Sequence, residues 1–110
     1  MPFVNISTSV KVDNKIKLLK EISILIASLT NKPKRFVMAK LEDESKLFFE
    51  DQSPCCFIEI KSIGSLKPSE ISKTLCSFVH KNMGIQIDKI YICFDDVAAE
   101  MWGWNGKTFG

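Results

Sequence analysis

The sequence predicts an α+β fold: two β-α-β units forming one four-stranded mixed sheet with both helices on one face, plus short extra strands. Three observations carry this expectation. A run of strand character is followed by a run of helical period and then by a second strand. That order occurs twice, the second pass trailing the first by about 54 residues (3 to 56, 13 to 68, 36 to 90), as a repeat of pattern without repeated identity. The whole is 110 residues long, which is the size of one domain spanning 1–110. Each unit is expected to join parallel strands by a right-handed crossover, and two units side by side place the helices together.

The elements follow in order. Residues 3–8 read as a strand, with Phe3, Val4 and Ile6 supplying β character directly after Met1-Pro2. Asp13 is expected to cap a helix reaching Thr30, because Leu18, Ile22, Leu25, Ile26 and Leu29 fall on one face of a 3.6-residue period. Asn31 suits the left-handed stop and Pro33 prevents continuation, so Lys32 sits just past a helix end. Residues 36–41 read as a second strand, 46–49 as a short third one, and Ser53-Pro54 as a turn. Cys56, Ile58 and Ile60 alternate with Phe57, Glu59 and Lys61, the signature of a half-buried strand. Pro68 opens a second helix with Ile71, Leu75, Phe78, Val79 and Met83 on one face, and Gly84 stops it. Ile90, Ile92 and Phe94 then alternate with Tyr91 and Cys93.

Composition excludes several classes of function. Hydrophobic residues make up 45% and charged residues 25%, a globular balance, and a net charge of +2 with scattered lysines gives no nucleic-acid footprint. The longest apolar stretch, Ile22 to Leu29, is too short to span a bilayer, so no membrane is expected as a partner. No signal peptide is read before the first strand, so the expected location is the cytoplasm, or outside the cell by an unconventional route. Cys55, Cys56, Cys76 and Cys93 form no C-x-x-C pair and stand with one histidine, His80. No metal site is expected from that set. The thiols are expected to be reduced and packed as small hydrophobes, with no disulfide between the adjacent Cys55 and Cys56.

One face of the predicted sheet is left without helices. Tyr91 and Cys93 point there, and the ending "MWGWNGKTFG" adds two tryptophans and a phenylalanine. Read as an uncovered apolar face with spare aromatics, this favours an oligomer, with the ending either an added hairpin or packed on a neighbour.

The initial "MP" entering a strand, "NKP" after the first helix, "SIG" after the next long strand, "IYI" in the late strand and "GWNGKTFG" at the end occur in one order over the whole chain. In these the sequence resembles the macrophage migration inhibitory factor family of the tautomerase superfamily. The resemblance implies a homotrimer with a pocket between subunits, no cofactor, and phenylpyruvate-type keto–enol tautomerase activity on a small 2-oxo acid or aromatic substrate. It implies Pro2, freed by removal of Met1, as the catalytic base and Lys32 as the partner of the substrate carboxylate. It further implies Ser62 and Ile63 as pocket wall, Tyr91 as a residue lent by the adjacent subunit, and Trp104 and Phe109 at the rim. Cys93 stands where vertebrate members carry a ligand-contacting asparagine. Ile58 stands where a second cysteine would complete a thiol-redox pair with Cys55, and the bulky Trp102 is expected to narrow the pocket. The alternative implied by the same resemblance is a cytokine-like secreted binding protein, with a receptor as partner and incidental turnover.

The residue types suit the chemistry. Enolisation needs a base of near-neutral pKa. An α-amine starts at about 7.7–8.0, and both burial and an adjacent lysine push it down. A tyrosine hydroxyl can donate to the far end of a substrate, and aromatic walls suit a planar ring.

Overall fold

Strand β1 (Phe3–Thr8) lies inside the sheet of the computed structural model, which describes residues 1–110. It is followed by helix α1 (Lys15–Thr30) and strand β2 (Met38–Glu42). Strand β3 (Cys56–Ser62), helix α2 (Pro68–Met83) and strand β4 (Ile90–Asp96) repeat the unit. Within each unit the strands are parallel, Phe3 opposite Met38 and Cys56 opposite Ile90. The two units meet antiparallel through β1 and β3, giving the mixed order β2-β1-β3-β4. The core is the helix-facing side: Val4 and Ile6 of β1 and Ile58 and Ile60 of β3 pack with Leu18, Ile22 and Ile26 of α1 and Ile71, Leu75 and Val79 of α2. Each such side chain contributes about 1.5–3 kcal/mol by leaving water. Neither helix is long and apolar enough to cross a membrane.

The helix ends decide where the functional residues stand. Asn14, not Asp13, caps α1: its side-chain oxygen accepts from the Lys17 amide at 3.0 Å, so the helix begins one residue later than expected. At the other end Asn31 is left-handed, with φ 54° and ψ 42°, and the Lys32 amide donates to Ala27 O at 3.0 Å. That closure satisfies an orphan carbonyl and fixes the Lys32 backbone. Pro68 opens α2, and Gly84, at φ 67°, ends it.

Three expectations need correction. Strand β2 starts at Met38 rather than residue 36, because Lys34–Phe36 form a 3₁₀ turn in which the Phe36 amide donates to Pro33 O and that of Val37 to Lys34 O. The segment 46–49 forms no strand in the single chain. Its one β contact is an isolated bridge between Phe49 and Asp51, with no ladder to the sheet. The open sheet face is also far more polar than expected. One row across it reads Lys40, Asn5, Glu59, Cys93, with Asn5 Nδ2 donating to Glu59 Oε1 at 3.2 Å. Its neighbours read Met38, Phe3, Lys61, Asp95 and Glu42, Ser7, Phe57, Tyr91.

The chain's ending takes the hairpin alternative. Strands β5 (Gly103–Trp104) and β6 (Lys107–Thr108) pair around Asn105-Gly106, whose φ values of 54° and 77° are those a two-residue primed turn requires.

All four cysteines are free thiols. Cys55 and Cys56 are buried, Cys93 is exposed, and Ile58, at the position where a redox partner of Cys55 would stand, is fully buried in the core. Burial pushes the Cys56 thiol up to about 12, with Cys55 and Cys76 adding to the effect. Only a thiolate alkylates readily. Iodoacetamide at pH 8 is therefore expected to modify Cys93 of the native protein while sparing Cys56, as read by peptide mass spectrometry; modification of Cys56 at a rate equal to that of Cys93 would contradict the packing.

Candidate active site

A cleft of about 560 Å³ opens where β1 begins. Four stretches distant in sequence build it: Met1, Pro2 and Phe3 at the terminus, Arg35 to Met38 at the 3₁₀ turn and the start of β2, Lys61 on β3, and the ending from Val97 to Phe109. Pro2 is buried, and its carbonyl accepts from the Met38 amide at 3.1 Å. The parallel ladder of β1 and β2 thus extends back to the second residue and holds the terminus in place.

The electrostatics of this terminus are unusual for an amine. Burial, and secondarily the Lys32 charge, lower the pKa of the terminal amine of Met1 below its ordinary value. Both act by disfavouring the protonated form. With Met1 attached, the Pro2 nitrogen is an amide. Removing Met1 passes the role of terminal amine to Pro2, which lines the same cleft.

Aromatic side chains form the rim. The Phe36 ring meets Trp104 edge-on at 5.8 Å, and Trp104 stacks on Phe109 at 5.7 Å with the planes 10° apart. The Phe109 amide donates to Trp102 O at 3.2 Å, which folds the chain end back over the hairpin. Trp102, expected to narrow the pocket, lines it. Such offset pairs leave flat apolar walls suited to a planar guest.

The structure brings Pro2, Trp104 and Phe109 to one cleft, with Lys32 near its terminal amine. It does not bring the other expected residues there within one chain. Ser62 is fully buried, and its hydroxyl has no hydrogen-bond partner. Ser62 and Ile63 do not line the cleft, although Lys61 beside them does. Their segment is held by the Val97 amide on Ser62 O at 2.9 Å and the Gly64 amide on an Asp96 carboxylate oxygen at 2.9 Å. Tyr91 and Cys93 are exposed on β4. Tyr91 stands in register with Phe57, at the opposite end of β3 from Lys61, and packs against Phe49 at 4.6 Å between ring centroids.

Sequence reasoning missed Arg35, Lys61 and Met38 as lining residues. A signal for Lys61 existed: the alternation of β3 puts it on the open face, one position before "SIG". Arg35 gave none beyond the basic run after Pro33, because its placement depends on the 3₁₀ turn.

The family profile described as "Macrophage migration inhibitory factor (MIF)" matches residues 1–110. A macrophage migration inhibitory factor from Xenopus tropicalis is 32% identical over 99% of both chains. The crystal structure of a macrophage migration inhibitory factor homologue from Prochlorococcus marinus superposes with a TM-score of 0.91 at 42% identity, covering 98% of this chain and 99% of that one. The macrophage migration inhibitory factor of Trichinella spiralis gives a TM-score of 0.91 at 28% identity, covering 97% of this chain and 99% of that one.

Proposed function

The chain belongs to the macrophage migration inhibitory factor family, and we propose that it is a keto–enol tautomerase of phenylpyruvate-type 2-oxo acids, with Pro2 as base once Met1 is removed. One observation carries this reading: a chain terminus is built into an apolar cleft whose burial and neighbouring Lys32 hold a terminal amine below its ordinary pKa. Burial and a neighbouring cation both shift a terminal amine in this setting towards its unprotonated form, the form a general base needs. The Pro2 nitrogen takes a proton from the carbon next to the carbonyl. The electron pair of that C–H bond moves into the new C=C bond, and the carbonyl oxygen receives the charge and then a proton. Lys32 holds the substrate carboxylate, and the Phe36, Trp104 and Phe109 rings flank its aromatic ring.

We propose further that the active form is a homotrimer. In the single chain, the outer edges of β2 and β4 are unpaired, and the strand-like segment 46–49 has no ladder partner. Unpaired edges invite pairing with another chain, and head-to-tail pairing that closes on itself gives a ring. Since Tyr91 and Cys93 do not reach the cleft of their own chain, a neighbour's copies are the ones assigned to it, with Ser62 and Ile63 as supporting wall. Fully processed protein is expected to sediment at three times the chain mass and to accelerate the decay of phenylpyruvate enol, followed by its ultraviolet absorbance. A stable monomer at micromolar concentration would sink the shared site, and decay no faster than buffer alone would sink the activity.

A further inference from the structure

The cleft is surrounded by more positive charge than one carboxylate requires. Arg35 and Lys61 line it, Lys32 stands near its terminal amine, and no carboxylate side chain lines it. The ion pairs of the chain use Lys15, Lys17, Lys40 and Lys89, and none of these three cations. Asp95 stands in register with Lys61 across β3 and β4, yet the two make no ion pair. Lys32 is matched by the carboxylate of a 2-oxo acid. Within the single chain, Arg35 and Lys61 then make no ion pair of their own.

Arg35 is partly organised for one. Its guanidinium carbon lies 4.8 Å from the centroid of the Phe36 ring, and Phe36 is itself braced edge-on by Trp104. The ring contact restrains the guanidinium while leaving its N–H groups free of protein partners, and a guanidinium matches a carboxylate through two parallel hydrogen bonds. Lys61 is half-buried beside Phe3, so it adds a point charge from the wall of the same cleft. We propose that Arg35 and Lys61 form a second anion subsite, and that the preferred substrates are dianions: 2-oxo acids with a second acidic group at the end remote from the 2-oxo carboxylate. The reaction rests on the tautomerase reading above; the binding preference does not.

Two arms test it. In the binding arm, the non-reacting pair 4-carboxyphenylacetate and phenylacetate is titrated against processed protein by tryptophan fluorescence. The dianion is expected to bind about tenfold or more tightly than the monoanion, the scale of a charge-assisted hydrogen bond. Arg35→Gln and Lys61→Gln are each expected to shrink that ratio, their combination to bring it near one, and Arg35→Lys to restore part of it. In the turnover arm, kcat/KM for 4-carboxyphenylpyruvate over phenylpyruvate is expected to follow the same order. Equal affinities in the unaltered protein, or a ratio that survives the double substitution, would overturn the subsite. A binding preference without turnover of either 2-oxo acid supports the subsite and removes the tautomerase reading alone.

Discussion

Protein that retains Met1, or any other residue before Pro2, is expected to tautomerise phenylpyruvate no faster than buffer, while processed protein of the same fold turns it over. The loss follows from bonding rather than from shape. Acylation delocalises the proline lone pair into the neighbouring carbonyl, so the nitrogen no longer accepts a proton near neutral pH. General-base catalysis typically contributes about 10²–10⁴-fold, and the extended form forfeits all of it. The Met1 amine does not take over, because it stands one residue further from the place where Pro2 would act. The fold should be indifferent to the extension: the Pro2 carbonyl accepts from the Met38 amide with Met1 in place, and the core begins at Val4. Intact-mass spectrometry sorts the two preparations, circular dichroism checks that they share a fold, and enol decay gives the rate. If the two preparations turned over phenylpyruvate equally fast, the base would have to be some group other than the proline.

How much of this could be read before the structure depends on whether a feature is local. The two helices were legible because Leu18, Ile22 and Ile26, and likewise Ile71, Leu75 and Val79, repeat at helical spacing and are all buried. The position of Lys32 was legible for a related reason, since a left-handed asparagine and a following proline end a helix at a definite residue. Segment 46–49 shows the limit. Its strand character is a property of side chains, but a strand exists only where another backbone continues its hydrogen bonds into a ladder, and the chain provides only the Phe49–Asp51 bridge there. The polarity of the open face was hidden for a comparable reason. Asn5, Glu59 and Lys40 sit in separate strands, and only the register aligns them into one row. The cleft is the least local feature of all. It gathers residues from both ends of the chain and from two strands between, so Arg35 and Lys61 became site residues only when the 3₁₀ turn and the hairpin were in place.

Lys32→Ala is expected to lower kcat/KM and, separately, to move its acid limb to higher pH. The sign follows from charge. A nearby cation disfavours protonation of the amine, so removing it raises the amine pKa, and the free-enzyme base reported by kcat/KM then becomes available only at higher pH. Burial is the larger of the two causes acting on the terminal amine and is untouched by the substitution, so the limb should move only part of the way towards an ordinary amine. The binding loss is a different quantity. A hydrogen bond to a charged group contributes about 1.5–3 kcal/mol, so about 10–100-fold in kcat/KM should persist on the alkaline plateau, where protonation of the base no longer matters. The helix end should survive, because it is the Lys32 backbone amide, not its side chain, that bonds to Ala27 O. Lys32→Arg keeps the charge and should return the limb to its original position even if the substrate fit is imperfect. Full pH profiles of processed Lys32, Ala and Arg forms separate the two effects. An Ala variant with an unmoved acid limb would mean that Lys32 binds substrate without tuning the base; an unmoved plateau would mean the reverse.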